Sequence, residues 1–373
     1  MADMIHLSAA VRQNLLSLQS TADMMSKTQN RLATGLKVNS ALDNPGSFFT
    51  ASSLNNRASD LGGLLDDMGQ AVQTLKAADE GIQSITKLVE AAKGKANQAL
   101  QSSSTADRRK FAGEYNDLLG QIEDLAKDAG YSGKNLLAGT GNDLSVVFNE
   151  DGTSKLGVSA VDYTDTTSAL GLSDLTVGTS GTLSITETAL EAADEASDTL
   201  TVTVGGSTVA TIDFSAGTTT EDVATALNAI DGVTASTDGT TLSITSVNGN
   251  ITIDDNTNAG SGSDLATQTG TGYVQGSFDT DTGINTSLTA LSSALNTLRS
   301  QASTFGTNLT VVENRQNFTN RLINTLEEGA GKLTLADTNE EGANLLALQT
   351  RQQLSSTSLS FASQADQNVL RLF

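Results

Sequence analysis

Few side chains in this sequence could perform chemistry. There is no cysteine, and the single histidine is His6. A lone histidine in a helical segment is more often a packing or surface residue than a ligand or a general base. His-Glu-x-x-His, a phosphate-binding loop and a Gly-x-Ser-x-Gly elbow with a histidine partner do not occur. We therefore predict no enzymatic activity, no metal and no cofactor.

The acidic run Asp254-Asp255-Asn256 beside Gly-rich sequence could weakly suggest calcium. However, the twelve-residue ligand pattern of a calcium loop is missing. A solvated acidic loop is the favoured interpretation of this run.

The negative charge is concentrated in the middle of the chain. The whole chain of 373 residues has a formal net charge of −22. Residues 141–285 hold 21 acidic residues and one basic residue, Lys155, a net of −20. Such a surface repels phosphates and favours solvation, so nucleic acid is excluded as a partner.

Membrane insertion is not predicted. No run of about 18 apolar residues occurs that could span a bilayer. The first residues, Met-Ala-Asp-Met-Ile-His, lack the basic stretch, apolar core and cleavage site of a secretory signal peptide.

An apolar seam predicts that residues 1–33 form one coiled-coil helix. Small or apolar residues alternate in steps of fours and threes, with Gln29 as the one polar member. The apolar members are Val11, Leu15, Leu18, Ala22, Met25 and Leu32. One narrow stripe buries too little surface to offset the ordering entropy, so this helix needs a partner.

The stretch Arg31–Asn44 is predicted to join two long helices. Gly35 can adopt the left-handed conformation that ends a helix. Asn39 and Asp43 favour a turn and a helix cap, and Pro45 suits the first turn of the next helix.

Helical periodicity continues on both sides of the central region. Residues 46–103 form a second helix, interrupted at Gly62-Gly63. Residues 102–107 are predicted to be a break and a new cap, and a third helix follows. A further helix runs from 286 to a break at Gly329-Ala330-Gly331. The last helix begins near Asp337 and has an apolar face that includes Leu345 and Leu348.

The centre reads as short strands. Gly205-Gly206 and Asn248-Gly249 are predicted hairpin turns, and Thr219 is predicted to cap a short helix between the two pairs of strands. We expect a separate α+β insert here.

The expected fold class is therefore a mainly α protein whose two chain ends form a coiled-coil or helical bundle, with a central α+β, β-rich inserted domain. Terminal helices pair with each other, and inner helices form a bundle. The predicted segments are 1–44 paired with 335–373, the bundle halves 45–140 and 286–334, and the acidic outer domain 141–285. Because two paired terminal helices have little core, 1–40 and 335–373 are expected to be largely disordered in the monomer and to fold on assembly.

The ends of the chain also carry a family resemblance. Arg-Leu-Ala-Thr-Gly-Leu-Lys-Val-Asn-Ser-Ala-Leu-Asp-Asn at residues 31–44 resembles the N-terminal signature of bacterial flagellins, and residues 367–373 resemble their C-terminal tail. Asp366, where many relatives have proline, and Phe373 depart from the family pattern. The resemblance implies a structural subunit that self-polymerises into the extracellular flagellar filament used for swimming. A hook–filament junction protein, and more distantly a secreted coiled-coil adhesin, are the alternatives.

The resemblance also implies partners and sites. It implies a helical homopolymer, secretion by the flagellar type III export apparatus with an export chaperone, and contacts with filament cap and hook-junction proteins. The residues that it places in the assembling core helices are Val11, Leu15, Leu18, Met25, Arg31, Leu32, Gly35, Asn39, Asp43, Leu345, Leu348, Asn368, Val369 and Leu370.

Residues 89–96 lie where many flagellins carry the segment that the Toll-like receptor for flagellin recognises. Those flagellins present an arginine and then a glutamate, whereas Glu90 and Lys93 reverse these charges. A reversed charge at such an interface costs several kcal/mol. The altered segment, Val89, Glu90 and Lys93, therefore predicts a poor receptor agonist, and an ordinary exposed helix face is the alternative.

Overall fold

The computed structural model describes residues 9–186, 198–214, 218–255 and 266–370. The helices are α1 Ala9–Thr34, α2 Pro45–Gln101, α3 Thr105–Asp128, α4 Thr166–Ala169, α5 Thr220–Asn228, α6 Asp281–Thr334 and α7 Thr338–Leu370. The strands are β1 Leu144–Val147, β2 Lys155–Val158, β3 Gly181–Thr186, β4 Asp198–Val204, β5 Ser207–Phe214, β6 Val233–Thr237, β7 Thr241–Ser246, β8 Ile251–Asp255 and β9 Gln268–Thr269. Helical terminal regions around a central β-sheet region confirm the predicted fold class.

The chain divides into two compact units. The first comprises residues Met1–Gly69, Val146–Leu156 and Glu313–Phe373, and the second comprises Gln70–Ser145 and Gly157–Val312. A core of the first unit is formed by Ala58, Leu61 and Leu326, with Leu54, Leu64, Leu322 and Ile323 packed against it.

Two predicted helix breaks are wrong. Helix α2 continues through Gly62 and Gly63, and α6 continues through Gly329 and Gly331 to Thr334. Each glycine costs about 1 kcal/mol relative to alanine. The burial of neighbouring residues offsets this cost, since Leu61 and Ala330 are both 2% exposed.

The second unit contains a helical layer whose core includes α3. The predicted break before α3 is confirmed: Ser104 is its N-cap, and its hydroxyl accepts a hydrogen bond from the Asp107 backbone N–H. Tyr115 is buried on α3 and makes an edge-to-face contact with Phe278 at 5.8 Å between ring centroids. Burial, together with the nearby charge of Asp174, raises the pKa of Tyr115 to about 12.

The second unit also contains two small antiparallel sheets. One has the order β3-β7-β6, and the other β5-β4-β8-β9. The predicted hairpin at Gly205-Gly206 is confirmed, with φ of 59° and 85° joining β4 to β5. The predicted cap of α5 is also confirmed, because Thr219 and Asp222 form a reciprocal capping box.

The predicted hairpin at Asn248-Gly249 is wrong. Strand β7 pairs with β3 and β6, whereas β8 pairs with β4 and β9 in the other sheet. The chain therefore crosses between sheets at this turn. The similar sequences of β3 and β7 pair with each other, with Leu183 opposite Ile244. Both sheets and α5 contribute alternate side chains to one core, which includes Leu183, Leu200, Val202, Val223, Leu227, Leu242, Ile244, Ile251 and Ile253.

Candidate assembly surface of the terminal helices

Helices α1 and α7 pack against each other in the first unit. Near one end, the Asn14 side-chain amide donates to Ser358 Oγ at 3.4 Å. Near the other end, Arg31 Nη1 donates to Glu341 Oε1 at 3.0 Å. Residue numbers rise along α1 as they fall along α7, so the two helices are antiparallel.

The seam of α1 differs from the predicted one by one residue at every second position. Val11 is buried, and Leu18 and Met25 are half-buried, as the apolar spacing predicts. Thr21 and Thr28 are 1% and 6% exposed, so threonine occupies the positions that were assigned to Ala22 and Gln29. These threonines tolerate burial because the hydroxyl of each can bond within its own helix, as Thr21 Oγ1 does to the Ser17 carbonyl at 2.8 Å.

Two residues that were predicted to lie in the seam are exposed instead. Leu15 is 43% exposed and Leu32 is 39% exposed. A heptad containing Val11, Leu18 and Met25 can place its second contact position at either of two neighbouring residues. In this fold the second position falls at Asn14, Thr21 and Thr28, which leaves the apolar neighbour Leu15 outside the pair.

Helix α7 is apolar on two opposite sides. Leu345, Leu348 and Leu359 are half-buried on the side that lies against α1. Leu346, Leu354 and Phe361 are each about two-thirds exposed, at 66%, 67% and 67%. At 100° per residue these three fall within about 80° of one another and roughly opposite the seam. An apolar stripe of this kind is uncommon on a surface that stays in water.

The turn between α1 and α2 is braced by backbone hydrogen bonds to the turn between α6 and α7. Gly35 has φ of +71° and ends α1, as predicted. Its carbonyl accepts from the Ala336 N–H at 2.9 Å, and the Lys37 N–H donates to the Thr334 carbonyl at 2.8 Å. The two connections of this unit are therefore joined directly.

Asn39 and Asp43 are brought together by the same turn. The Asp43 carboxylate accepts from the backbone N–H of Asn39 at 3.0 Å and of Ser40 at 3.1 Å. These backbone hydrogen bonds hold the pKa of Asp43 below its ordinary value. Asn44 then caps α2 by accepting from the Ser47 N–H at 3.1 Å, and α2 begins at Pro45 as predicted.

Some predicted residues lie outside the described part of the chain. His6 and Asn256 are among them, and so are the side chains of Asn368, Val369 and Leu370, although the α7 backbone extends to Leu370. Asp254 is described, and its carboxylate accepts from the Thr267 hydroxyl at 2.7 Å. Among the described residues, no group of three His, Cys, Asp or Glu side chains could hold a metal ion.

The charge-reversed segment of α2 is only partly accessible. Val89 is fully buried, so its assignment to a receptor-facing surface is wrong. Glu90 is exposed, whereas Lys93 is half-buried and its ammonium group donates to Ser292 Oγ at 3.2 Å. Valine falls on the core face of α2 together with Ile82 and Ile85, which are also buried.

Sequence reasoning missed Arg109. This residue is 8% exposed and donates to both carboxylate oxygens of Asp279, to the Val247 carbonyl and to Ser180 Oγ. It therefore joins α3 to three separate segments that surround or belong to the two small sheets. A basic residue at a core position of an amphipathic helix, three residues before buried Ala112 and six before buried Tyr115, is the signal that could have identified it.

In the described part of the chain, no helix combines the length and apolar character needed to cross a bilayer.

Comparisons with known proteins agree with this architecture. Profiles described as the bacterial flagellin N-terminal helical region and the bacterial flagellin C-terminal helical region match residues 5–142 and 288–373. A profile described as the flagellin hook IN motif matches residues 199–248. The first two matches together cover more than half of the chain and include the paired terminal helices.

Full-length relatives agree as well. Flagellin A of Rhizobium meliloti is 28% identical, with 96% of each chain covered. Flagellin of Brucella melitensis biotype 1 is 26% identical over 100% of this chain and 99% of its own, and flagellin FljM of Caulobacter vibrioides is 24% identical over 96% and 94%. The chain belongs to the bacterial flagellin family and is a structural subunit of the flagellar filament.

Proposed function

We propose that this subunit polymerises through the pair of helices α1 and α7, and that the extracellular filament is its site of action. The observation that carries the proposal is the outward apolar surface of that pair. Leu16 on α1 and Leu346, Leu354 and Phe361 on α7 are each about two-thirds exposed. Burial of such residues against neighbouring subunits yields roughly 1.5–3 kcal/mol for each side chain.

The assembling set is that named from sequence, Val11 to Asp43 on the N-terminal side and Leu345 to Leu370 on the C-terminal side. The residues of this set divide into those that pack within one subunit and those that are exposed to other subunits. Half-buried Leu18 and Met25 on α1, and Leu345 and Leu348 on α7, lie on the sides that pack within one subunit, whereas exposed Leu15 and Leu32 are available to neighbours. Segment 141–285 is proposed as the outer domain, because its net charge of −20 keeps copies apart and solvated.

Electron microscopy of purified protein tests polymerisation. The intact chain should form long tubes after seeding or salting out, and a chain that lacks residues 1–40 and 335–373 should form none. Intact protein that only adds a short cap to existing filament ends would favour the hook–filament junction role instead. Intact protein that stays monomeric would contradict the proposal.

Two variants probe intermolecular and intramolecular packing in turn. Leu354→Ser with Phe361→Ser should leave monomer helicity unchanged, since both side chains are exposed, and should prevent tubes. Leu348→Ser, on the seam with α1, should also prevent tubes, because it weakens the pairing of α1 and α7 within each subunit. Tubes of normal length from the exposed double variant would contradict the proposed surface.

We further propose that the chain has no catalytic activity and leaves the cell through the flagellar export apparatus. The exposed apolar side of α7, which carries Leu354 and Phe361, is a suitable site for an export chaperone, because an amphipathic helix docks by such a face. Cap and hook-junction proteins are the remaining proposed partners. The double variant above should accumulate in the cell if the chaperone uses this side, and secretion at the wild-type level would contradict that assignment.

We also propose weak activation of the Toll-like receptor for flagellin, on the charges of Glu90 and Lys93. A receptor-reporter assay on monomer should give weak signalling. The double variant Glu90→Arg with Lys93→Glu should signal more strongly, because it restores the charge order of the agonist flagellins. Full potency of the unaltered chain would contradict the proposal.

A further inference from the structure

A basic groove lies between the terminal helices. It has a volume of about 410 Å³, and its lining includes Met24, Lys27 and Arg31 on α1 and Glu341, Leu348 and Arg351 on α7. Three cations and one anion give it a net charge of +2. Met24 is 38% exposed and offers an apolar wall. The groove is therefore shaped for an apolar group that carries negative charge around it.

An exposed aromatic ring with acidic residues around it lies elsewhere on the same unit. We call this group, Phe49 with Asp60, Glu150 and Asp151, the knob. Phe49, near the start of α2, is 63% exposed. Phe49 lines an open, concave patch together with Asp60, Glu150 and Asp151, in which Arg57 is the one basic member. The patch has a net charge of −2, and Arg57 Nε already binds Glu150 Oε1 at 2.7 Å.

These charges determine which contacts between copies are favourable. Two grooves would repel each other, and so would two knobs, so a symmetric contact through either surface is disfavoured. A knob against a groove brings opposite charges together. Because the two surfaces are different, this contact leaves one of each free at the ends, so it continues as an open fibre wherever its rotation does not close a ring.

We infer that Phe49 of one subunit enters the groove between α1 and α7 of a second copy, with Asp60 and Asp151 beside Lys27 and Arg351. This inference rests on the proposed polymerisation and names one of its contacts. A phenylalanine ring buries on the order of 150–250 Å² and fits a cavity of this volume. Arg31 and Glu150 already have partners within their own subunit, so Lys27, Arg351, Asp60 and Asp151 supply the new pairs.

Reciprocal charge reversal tests the contact. The groove variant is Lys27→Glu with Arg351→Glu, and the knob variant is Asp60→Lys with Asp151→Lys. Each variant alone should need at least tenfold more protein to polymerise than the wild type, measured by sedimentation and electron microscopy. An equal mixture of the two should polymerise, because each knob then meets a groove of opposite charge. The chain with all four substitutions should also polymerise.

Circular dichroism of each monomer is the control for folding. Variants that polymerise alone like the wild type would overturn the inference, as would a folded pair whose mixture does not polymerise. Wild-type protein that fails to polymerise would instead overturn the proposed function, and this contact with it. These outcomes are distinguishable in one experiment.

Phe49→Ser provides a second test that leaves the charges intact. It should raise the protein concentration needed for polymerisation at least tenfold, and its exposure means that folding should be unaffected. Phe318→Ser is the matched control, since Phe318 is 52% exposed and lies outside the knob. An equal effect of both substitutions would overturn the assignment of Phe49.

Discussion

Arg109 and Asp279 form a buried ion pair in which Arg109 Nη2 lies 2.8 Å from Asp279 Oδ2, although 170 residues separate them. Their side chains are 9% and 6% exposed. The Tyr273 ring lies 5.8 Å from the guanidinium carbon. The pair therefore fastens the segment before α6 to α3, and a planar bidentate donor suits this arrangement better than a lysine would.

Removal of Arg109 should destabilise the second unit strongly. Arg109→Ala leaves Asp279 buried and unpaired, so the free energy of unfolding should fall by about 3–5 kcal/mol. Urea unfolding followed by circular dichroism measures this. Lys127→Ala on the same helix is the matched control, because its pair with Asp124 is exposed and is worth at most about 1 kcal/mol. Equal losses from both substitutions would contradict the role of burial.

The capping box of α5 should stabilise the insert. Thr219 Oγ1 accepts from the Asp222 N–H at 3.3 Å, and the Asp222 carboxylate accepts from the Thr219 N–H at 2.9 Å. Thr219→Ala should cost about 1 kcal/mol. Thr225→Ala, within the helix, should cost nothing or stabilise slightly, because alanine is the better helix former. A larger loss at Thr225 than at Thr219, in thermal unfolding, would refute the cap.

Alkaline pH should unfold the second unit through Tyr115 and Tyr163. Burial raises the pKa of each to about 12, above the ordinary value near 10. The neutral phenol is therefore favoured by folding, so this stability is fully present below pH 10 and is lost as pH rises towards 12.

Tyr115→Phe should flatten the fall of the unfolding free energy between pH 10 and 12, by on the order of 2 kcal/mol. Adding Tyr163→Phe should flatten it further. The measurement is urea unfolding at a series of alkaline pH values. An unchanged slope in the double variant would show that other groups dominate.

Acid should loosen the turn between α1 and α2 through Asp43. Hydrogen bonds from the Asn39 and Ser40 N–H groups lower the pKa of Asp43 in the folded state. Its contribution to stability is therefore fully present above the pKa of the unfolded state, and it is lost as pH falls through the lower pKa of the folded state. Carboxyl chemical shifts against pH measure this directly. Asp43→Asn should speed amide exchange at Asn39 and Ser40, whereas Asp23→Asn, exposed on α1, removes the same charge and should leave both amides unchanged.

The terminal helices should be protease-sensitive before assembly and resistant after it. Their seam buries Thr21, Thr28 and Glu341 as well as apolar residues, so the pair gains little from burial relative to its ordering entropy. Trypsin should cleave monomer at Lys27 and Arg351, which are exposed, before it cleaves at buried Arg109. Filaments should resist cleavage at Lys27 and Arg351. Monomer as resistant as filament would contradict coupled folding.

Local chemistry in the sequence was enough to locate most helix ends. Gly35, Pro45, Ser104 and Asp337 each act through their own backbone conformation or through a hydrogen bond to residues two to four positions away. Asp337, for example, accepts from the Asn339 N–H at 2.9 Å at the start of α7. Such signals need no distant partner, so the order of elements and the chemistry of the ends could be predicted. The glycines inside α2 and α6 led to wrong predictions of helix breaks, because long-range packing outweighed their local cost.

Only the tertiary structure decided which faces meet. The apolar spacing of α1 allows Leu15 or Asn14 at the second seam position, and the antiparallel fit to α7 selects Asn14, which turns Leu15 outward. Likewise, β7 and β8 are close in sequence, yet they pair with strands of two different sheets that share one core. The pairing of Arg109 with Asp279 likewise depends on which distant segments pack together. Sequence periodicity specifies that a segment has an apolar face, and the competition among distant faces for burial determines what that face contacts.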